Sequence, residues 1–112
     1  MNSPNKYELP PRQAVQLTSL LDYVQSSVVS RILMKREHAS ITLFTFDEGQ
    51  GLSEHTATSD AVAYFLDGEA DVVVAGKKSR LKHGDAILFP ANQPHELKAT
   101  TRFKMLLTMI RS

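Results

Sequence analysis

Residues 84–99, GDAILFPANQPHELKA, constrain the fold more than any other stretch. The apolar run Ala86, Ile87, Leu88, Phe89 has strand length, and it ends in Pro90 and Pro94 on either side of Ala91-Asn92-Gln93. Proline fixes φ and has no N–H to give, so the bracketed segment is neither helix nor interior strand. It is a turn, and the turn sets the direction in which His95 leaves it. A histidine delivered by so restricted a backbone is a candidate functional group.

The rest of the chain reads as strands that carry this turn. Val28, Val29, Ile32 and Leu33 make residues 26–34 a strand, with a polar turn over residues 35–40. Residues 41–46 return with Ile41, Leu43, Phe44 and Phe46 apolar on more than one face, as in a strand that meets both a barrel interior and another layer or subunit. Gly49 and Gly51 let the chain leave this strand, and residues 52–56 carry His55 onto a short one. Residues 61–67 alternate with both sets apolar, before the tight-turn pair Asp67-Gly68. Residues 69–75 and 79–82 form a hairpin about Gly76, the basic cluster at 77–82 reading as its solvated turn. A last strand covers residues 103–110.

Upstream, residues 14–24 read either as a short helical turn or as an irregular strand. Residues 1–13, with Pro4, Pro10 and Pro11, read as a flexible N-terminal arm ahead of one barrel domain over residues 14–112. Short strands, Gly or Pro turns and the lack of a long helical pattern predict an all-β antiparallel barrel or sandwich.

Composition removes several classes of function. The net charge of +1 gives no long-range field, which excludes an electrostatic footprint for nucleic acid or a membrane surface. There is no cysteine, so disulfides, thiolate catalysis and sulfur-held metal are out. No apolar run approaches membrane-spanning length and residues 1–5 are polar, so a cytoplasmic location is expected.

The spacing Gly84, Pro90, His95 resembles the second sequence motif of the cupins, G-x5-P-x-G-x2-H-x3-N, with Asn92 and Ala99 in place of its second glycine and its asparagine. The first cupin motif, G-x5-H-x-H-x3-E-x6-G, falls without a gap on Gly49, His55, Ala57, Ala61 and Gly68. The resemblance implies an antiparallel double-stranded β-helix, the jelly-roll-like cupin barrel. It also implies an ion inside the barrel, held by two histidines and a glutamate of the first motif and a histidine of the second. Only His55 and His95 are carried over, and these are the candidate metal ligands; Ala57 and Ala61 have nothing to donate. The implied divalent transition metal (Fe, Mn, Ni, Zn or Cu) is therefore expected to be weakly held or absent, since two imidazoles fall one ligand short of a zinc or non-haem iron site. Strand alternation turns Glu54, Asp60 and Glu96 away from the cluster unless a bulge intervenes.

His55 and His95 thus have three readings: metal ligands, buried polar groups satisfied by each other, by Tyr64 or by backbone, and anchors in a small-molecule pocket that two alanines enlarge. Met105 and Met109 read as gap-filling core, and His38 and His83 as exposed. Three functions stay open: a metal-dependent dioxygenase or isomerase, a non-catalytic binder of a small molecule in the barrel cavity, and a structural assembly module. Whether the chain is an enzyme is undecided at this stage. Binding is favoured, because the polar pair of the cavity survives while its carboxylate does not. The doubly apolar strands also predict a homodimer, with Tyr64, Leu66 or their strand neighbours at its interface.

Overall fold

Alternating apolar residues between glycine and proline turns fold into nine strands among residues 8–112, which are the residues that the computed structural model describes. Residues 1–7 of the expected arm lie outside them. The strands are β1 (Val28–Lys35), β2 (Ala39–Phe46), β3 (Gly51–His55), β4 (Asp60–Asp67), β5 (Glu69–Val74), β6 (Lys77–Lys82), β7 (Ala86–Phe89), β8 (His95–Ala99) and β9 (Phe103–Ile110). One sheet has the order β1-β2-β9-β4-β7 and the other β3-β8-β5-β6, with every pairing antiparallel. This is the expected all-β jelly-roll barrel.

The space between the sheets is filled unevenly. At one end Phe46, Phe103 and Phe65, from the neighbouring strands β2, β9 and β4, stack with ring centroids 4.4 and 5.2 Å apart, all three fully buried. Each such side chain contributes about 1.5–3 kcal/mol by leaving water. At the other end the inner face carries smaller or more flexible groups. There the ladder register sets Ser40, Met109, Ala61 and Phe89 side by side on β2, β9, β4 and β7. One end of the barrel is a floor, and the other is a mouth.

The glycine positions of the two motifs are backbone requirements. Gly49, Gly68 and Gly84 all have positive φ, and Asn92, standing where the motif has a glycine, does too, with φ 65°. Asparagine is among the few other residues that enter this region at small cost. Gly68 is further constrained, because a Cβ there would fall on the Arg102 carbonyl oxygen and 2.8 Å from the Phe103 Cα.

Two local readings change, and two stretches left open by the sequence are filled in. The polar turn over 35–40 shrinks, since β1 runs to Lys35 and β2 starts at Ala39, with the Arg36 N–H donating to the Ala39 carbonyl. The basic cluster at 77–82 is strand β6 rather than a turn; the turn is Ala75-Gly76, both at positive φ. Lys78 and Arg80 meet Asp71 across the ladder, and lysines on an edge strand discourage pairing with another chain. Residues 95–99 form β8, where Leu97 and Ala99 are buried and Lys98 is exposed. Residues 14–24 hold a single 3₁₀ turn, Leu17–Ser19.

That N-terminal segment explains why β2 is apolar on both faces. Leu43 and Leu33 are buried although neither belongs to the cluster between the sheets. The segment crosses the outer face of the first sheet and is clasped there by side chains. The Lys104 ammonium donates to the carbonyls of Thr18 and Leu21 at 2.6 and 2.7 Å, and the Thr45 hydroxyl donates to that of Asp22. The Tyr23 hydroxyl donates to Asp67 at 2.6 Å, while Arg102 and Lys104 lie over its ring. Further upstream, the Leu9 N–H donates to the Leu33 carbonyl, and Glu8 accepts from the Lys35 N–H and from Arg36. Among the described residues, no helix is long and apolar enough to cross a membrane.

Candidate functional site

The mouth of the barrel brings the two predicted histidines together. His55 ends β3, His95 begins β8, and the two are direct partners in the ladder with ring centroids 4.3 Å apart, edge to face. His95 stacks on the buried ring of Phe89 at 4.5 Å. Ala61 lies between Phe89 and Met109 on the facing sheet. Ala57 lies in the connection beyond β3, where its carbonyl accepts the Asn92 N–H at 2.7 Å and so ties the two mouth loops together.

A bulge in β3 decides which residue faces His95. Leu52 pairs with Leu97 and packs against the core, so unbroken alternation would place Glu54 opposite His95. The ladder instead shifts between Leu52 and His55, so that three residues on β3 span two on β8. One extra residue on one strand moves every following side chain to the other face. The bulge sets the His55 imidazole opposite His95; Glu54 and His55 are both exposed, whereas His95 is half-buried.

Each ring is fixed by its own backbone. The His55 Nδ1 lies 2.8 Å from the Ser53 carbonyl oxygen and the His95 Nδ1 lies 3.3 Å from that of Gln93. A carbonyl can only accept, so both contacts place a proton on Nδ1, and in the neutral ring the lone pair is then on Nε2. Burial, with a smaller contribution from His55, holds the His95 pKa below the ordinary imidazole value; the bond to Gln93 offsets part of this. The neutral form is the one in which Nε2 accepts.

The carboxylates that would complete a metal site are committed elsewhere. Asp60 accepts the Ala91 N–H at 2.8 Å and braces the loop before His95. Glu96 pairs across the ladder with Val73, on the opposite face of β8 from His95 and Leu97. Among the described residues, no three His, Asp or Glu side chains lie close enough together to hold an ion. The donor set therefore does not fit the resident catalytic metal that the motif implies, and it leaves two imidazole acceptors beside an aromatic wall.

Several mouth residues carried no sequence signal strong enough to single them out. Phe89 and Met109 read as ordinary strand residues and Ser40 as part of a polar turn, and only the ladder register sets them in the row that ends at Phe89 beneath His95. His38 is largely exposed, 3.7 Å from Glu37, and His83 is exposed. Met105 is core, as expected, whereas Met109 is only half-buried.

Comparison with known proteins matches this geometry to a family. Residues 42–111 match the family described as the cupin domain. Among solved structures, a conserved protein of unknown function from Streptococcus pyogenes is 30% identical with a TM-score of 0.90, over 100% of this chain and 96% of that one. A cupin superfamily protein from Desulfitobacterium hafniense is 30% identical with a TM-score of 0.87, over 94% and 96%. A Cupin 2 conserved barrel domain protein from Leptotrichia buccalis is 34% identical with a TM-score of 0.81, over 84% of this chain and 46% of that one. No curated protein matches the chain. With its domain match covering most of the sequence and these relatives sharing its barrel, the chain belongs to the cupin superfamily as a small cupin-domain protein.

Proposed function

We propose that this protein binds a small organic molecule in the barrel mouth, with His55 and His95 as its polar anchors. One observation carries the reading: the His55 and His95 rings meet edge to face, His95 against Phe89, each with its Nδ1 held by a backbone carbonyl and, among the described residues, with no third His, Asp or Glu side chain close enough to complete a metal site. A mostly apolar cavity with a few convergent polar groups suits an uncharged ligand end bearing hydroxyl or N–H donors. A divalent transition metal at this site is held weakly by the same two atoms, the rest of its coordination coming from water or ligand. Catalysis is not part of this reading, and neither is nucleic acid or a membrane as a partner. The protein works in the cytoplasm, which cell fractionation tests.

The deciding experiment is elemental analysis and native mass spectrometry of protein purified without an affinity tag. Metal well below one equivalent, lost to a chelator, with a small organic molecule retained by the wild type but not by His95→Ala, supports the binding reading. Stoichiometric iron, manganese, nickel or copper that survives the chelator would replace it with the dioxygenase or isomerase reading. Ligand retention unchanged in both His55→Ala and His95→Ala would leave the assembly module.

The protein is also a homodimer in this reading. Once the N-terminal segment has covered part of the first sheet, Val62, Tyr64, Leu88 and Ile110 remain 42, 46, 56 and 58% exposed on its outer face. They lie on the adjacent strands β7, β4 and β9, with Val62 directly opposite Leu88 and half-buried Leu66 further along β4. Apolar groups gathered in this way on adjoining strands mark an interaction surface more often than a free one, and a twofold pairing covers both copies at once.

A further inference from the structure

The connection between β1 and β2 stands at the same end of the barrel as His55 and His95, with Lys35, Arg36 and Arg111 gathered beside it. A pocket of about 160 Å³ lies against it, lined by Lys35, Arg36, His38 and Arg111, with the hydroxyl-bearing Ser40 and Ser59 and the apolar Met109. Its two arginines are anchored. Arg36 donates from Nη1 to Glu8 and to the Lys35 carbonyl, and Arg111 donates from Nη2 to the Glu37 carbonyl and from its backbone N–H to that of His38. Two carboxylates oppose them. Glu8 is engaged by Arg36, whereas the Glu37 side chain, which also lines the pocket, is 85% exposed and so well screened.

One row of the ladder runs from this pocket toward the histidine site. Lys35 pairs with Ser40, Ser40 with Met109, Met109 with Ala61 and Ala61 with Phe89, whose ring carries His95. Direct ladder partners share a face, so the row is a continuous inner surface from a cation to the imidazole pair. From Met109, which lines the pocket, to Phe89 is two strand spacings, about 10 Å. The middle of the row is apolar, with flexible Met109 beside small Ala61.

We propose that the pocket beside Lys35, Arg36 and Arg111 is an anion subsite that binds the carboxylate of an organic acid, whose hydroxyl- or N–H-bearing far end reaches His55 and His95. This rests on the small-molecule reading of the histidine site and adds the chemical class of its ligand: a hydroxy or amino carboxylic acid about 10 Å long. Guanidinium groups already held by backbone carbonyls keep N–H donors for a carboxylate and need little ordering to use them.

The test is an NMR titration of the ¹⁵N-labelled protein with gluconate, a six-carbon hydroxy acid, against sorbitol, its neutral counterpart, at matched ionic strength. The proposal expects gluconate to shift the amides of residues 36–40 and 111 and the imidazoles of His55 and His95 along one saturating curve. Lys35→Gln and Arg111→Gln should each weaken gluconate about three- to fivefold, as loss of one partly exposed charge does, and leave sorbitol unchanged. Glu37→Gln should tighten gluconate slightly. Gluconate and sorbitol binding equally at the imidazoles would overturn the anion subsite while leaving the histidine site standing. Gluconate shifts confined to the β1–β2 connection would overturn the joined site, and so would no shift with either probe at millimolar concentration, the latter also counting against the histidine pocket. Unchanged melting temperatures of the exposed variants separate loss of binding from loss of fold.

Discussion

His55 faces His95 across the β3–β8 ladder because a bulge between Leu52 and His55 displaces Glu54 from that position. The chain carries a carboxylate next to the site and uses one extra backbone residue to keep it out. Glu54→Gln should therefore leave ligand retention and the His95 titration unchanged, while His55→Ala should abolish retention. A shift of the His95 titration midpoint in Glu54→Gln, followed by NMR, would mean that the carboxylate reaches the ring.

The pH response of the mouth follows from His95. Its pKa in the folded protein lies below the ordinary 6.5, chiefly through burial, so the folded state prefers the neutral ring. The stability this gives is fully present above about pH 6.5 and is lost as the pH falls from there through the folded-state value, because the unfolded chain takes up the proton first. Binding through the Nε2 lone pair should fade over the same interval. Long-range ¹H–¹⁵N spectra should show the Nδ1–H tautomer for both rings at neutral pH and a His95 midpoint below 6.5.

Gly68→Ala should be among the most damaging single changes to the barrel. The new methyl meets backbone at Arg102 and Phe103, which cannot rotate away, and φ is +75°. Overpacking and left-handed backbone together predict a loss of about 3 kcal/mol. Gly84→Ala, with φ +90° and open space around it, should lose only about 1 kcal/mol. Urea denaturation of the two variants makes the comparison.

The clasp at Lys104 gives a separate prediction. This side chain is 7% exposed, and its ammonium is satisfied by two carbonyls and an aromatic face rather than by a carboxylate. Lys104→Met keeps the stem but leaves the Thr18 and Leu21 carbonyls without their donor, at a cost of about 1–3 kcal/mol. Amide exchange should quicken first in residues 17–24, ahead of the sheets. Uniform acceleration across the molecule would argue that the segment is not a separate unit.

Assembly can be read in a centrifuge. Tyr64→Lys combined with Leu88→Asp should convert the proposed dimer to a monomer without lowering the melting temperature of the barrel by more than a few degrees, since both positions are about half exposed. A wild-type protein that sediments as a monomer at micromolar concentration would remove the dimer.

Much of the fold was legible because it rests on backbone requirements that leave marks in sequence. Four motif positions with positive φ hold glycine or asparagine, the residues that enter that region at least cost, and Pro90 and Pro94 mark the turn between them. Less of the site was legible. The β3 bulge leaves no residue signature, so the reason His55 rather than Glu54 turns inward appears only in the ladder. The strap over the first sheet was hidden for a related reason. Leu43 and Lys104 signal that an outer layer exists, but not that residues 17–24 of the same chain supply it, as such contacts span more than eighty residues. The basic run at 77–82 misled because an edge strand and a solvated turn favour the same lysines.

The position of β9 has a consequence for how the protein comes into being. This strand is the last of the nine in chain order, yet it lies in the middle of its sheet, between β2 and β4, and contributes Phe103 and Met105 to the core. Until it is synthesised, β2 and β4 have no common neighbour, and the stack of Phe46 on Phe65 lacks its middle ring. The barrel therefore cannot complete its fold until β9 is available. Before that, β2 and β4 present two open strand edges, and their exposure to chaperones and to aggregation ends only when β9 inserts.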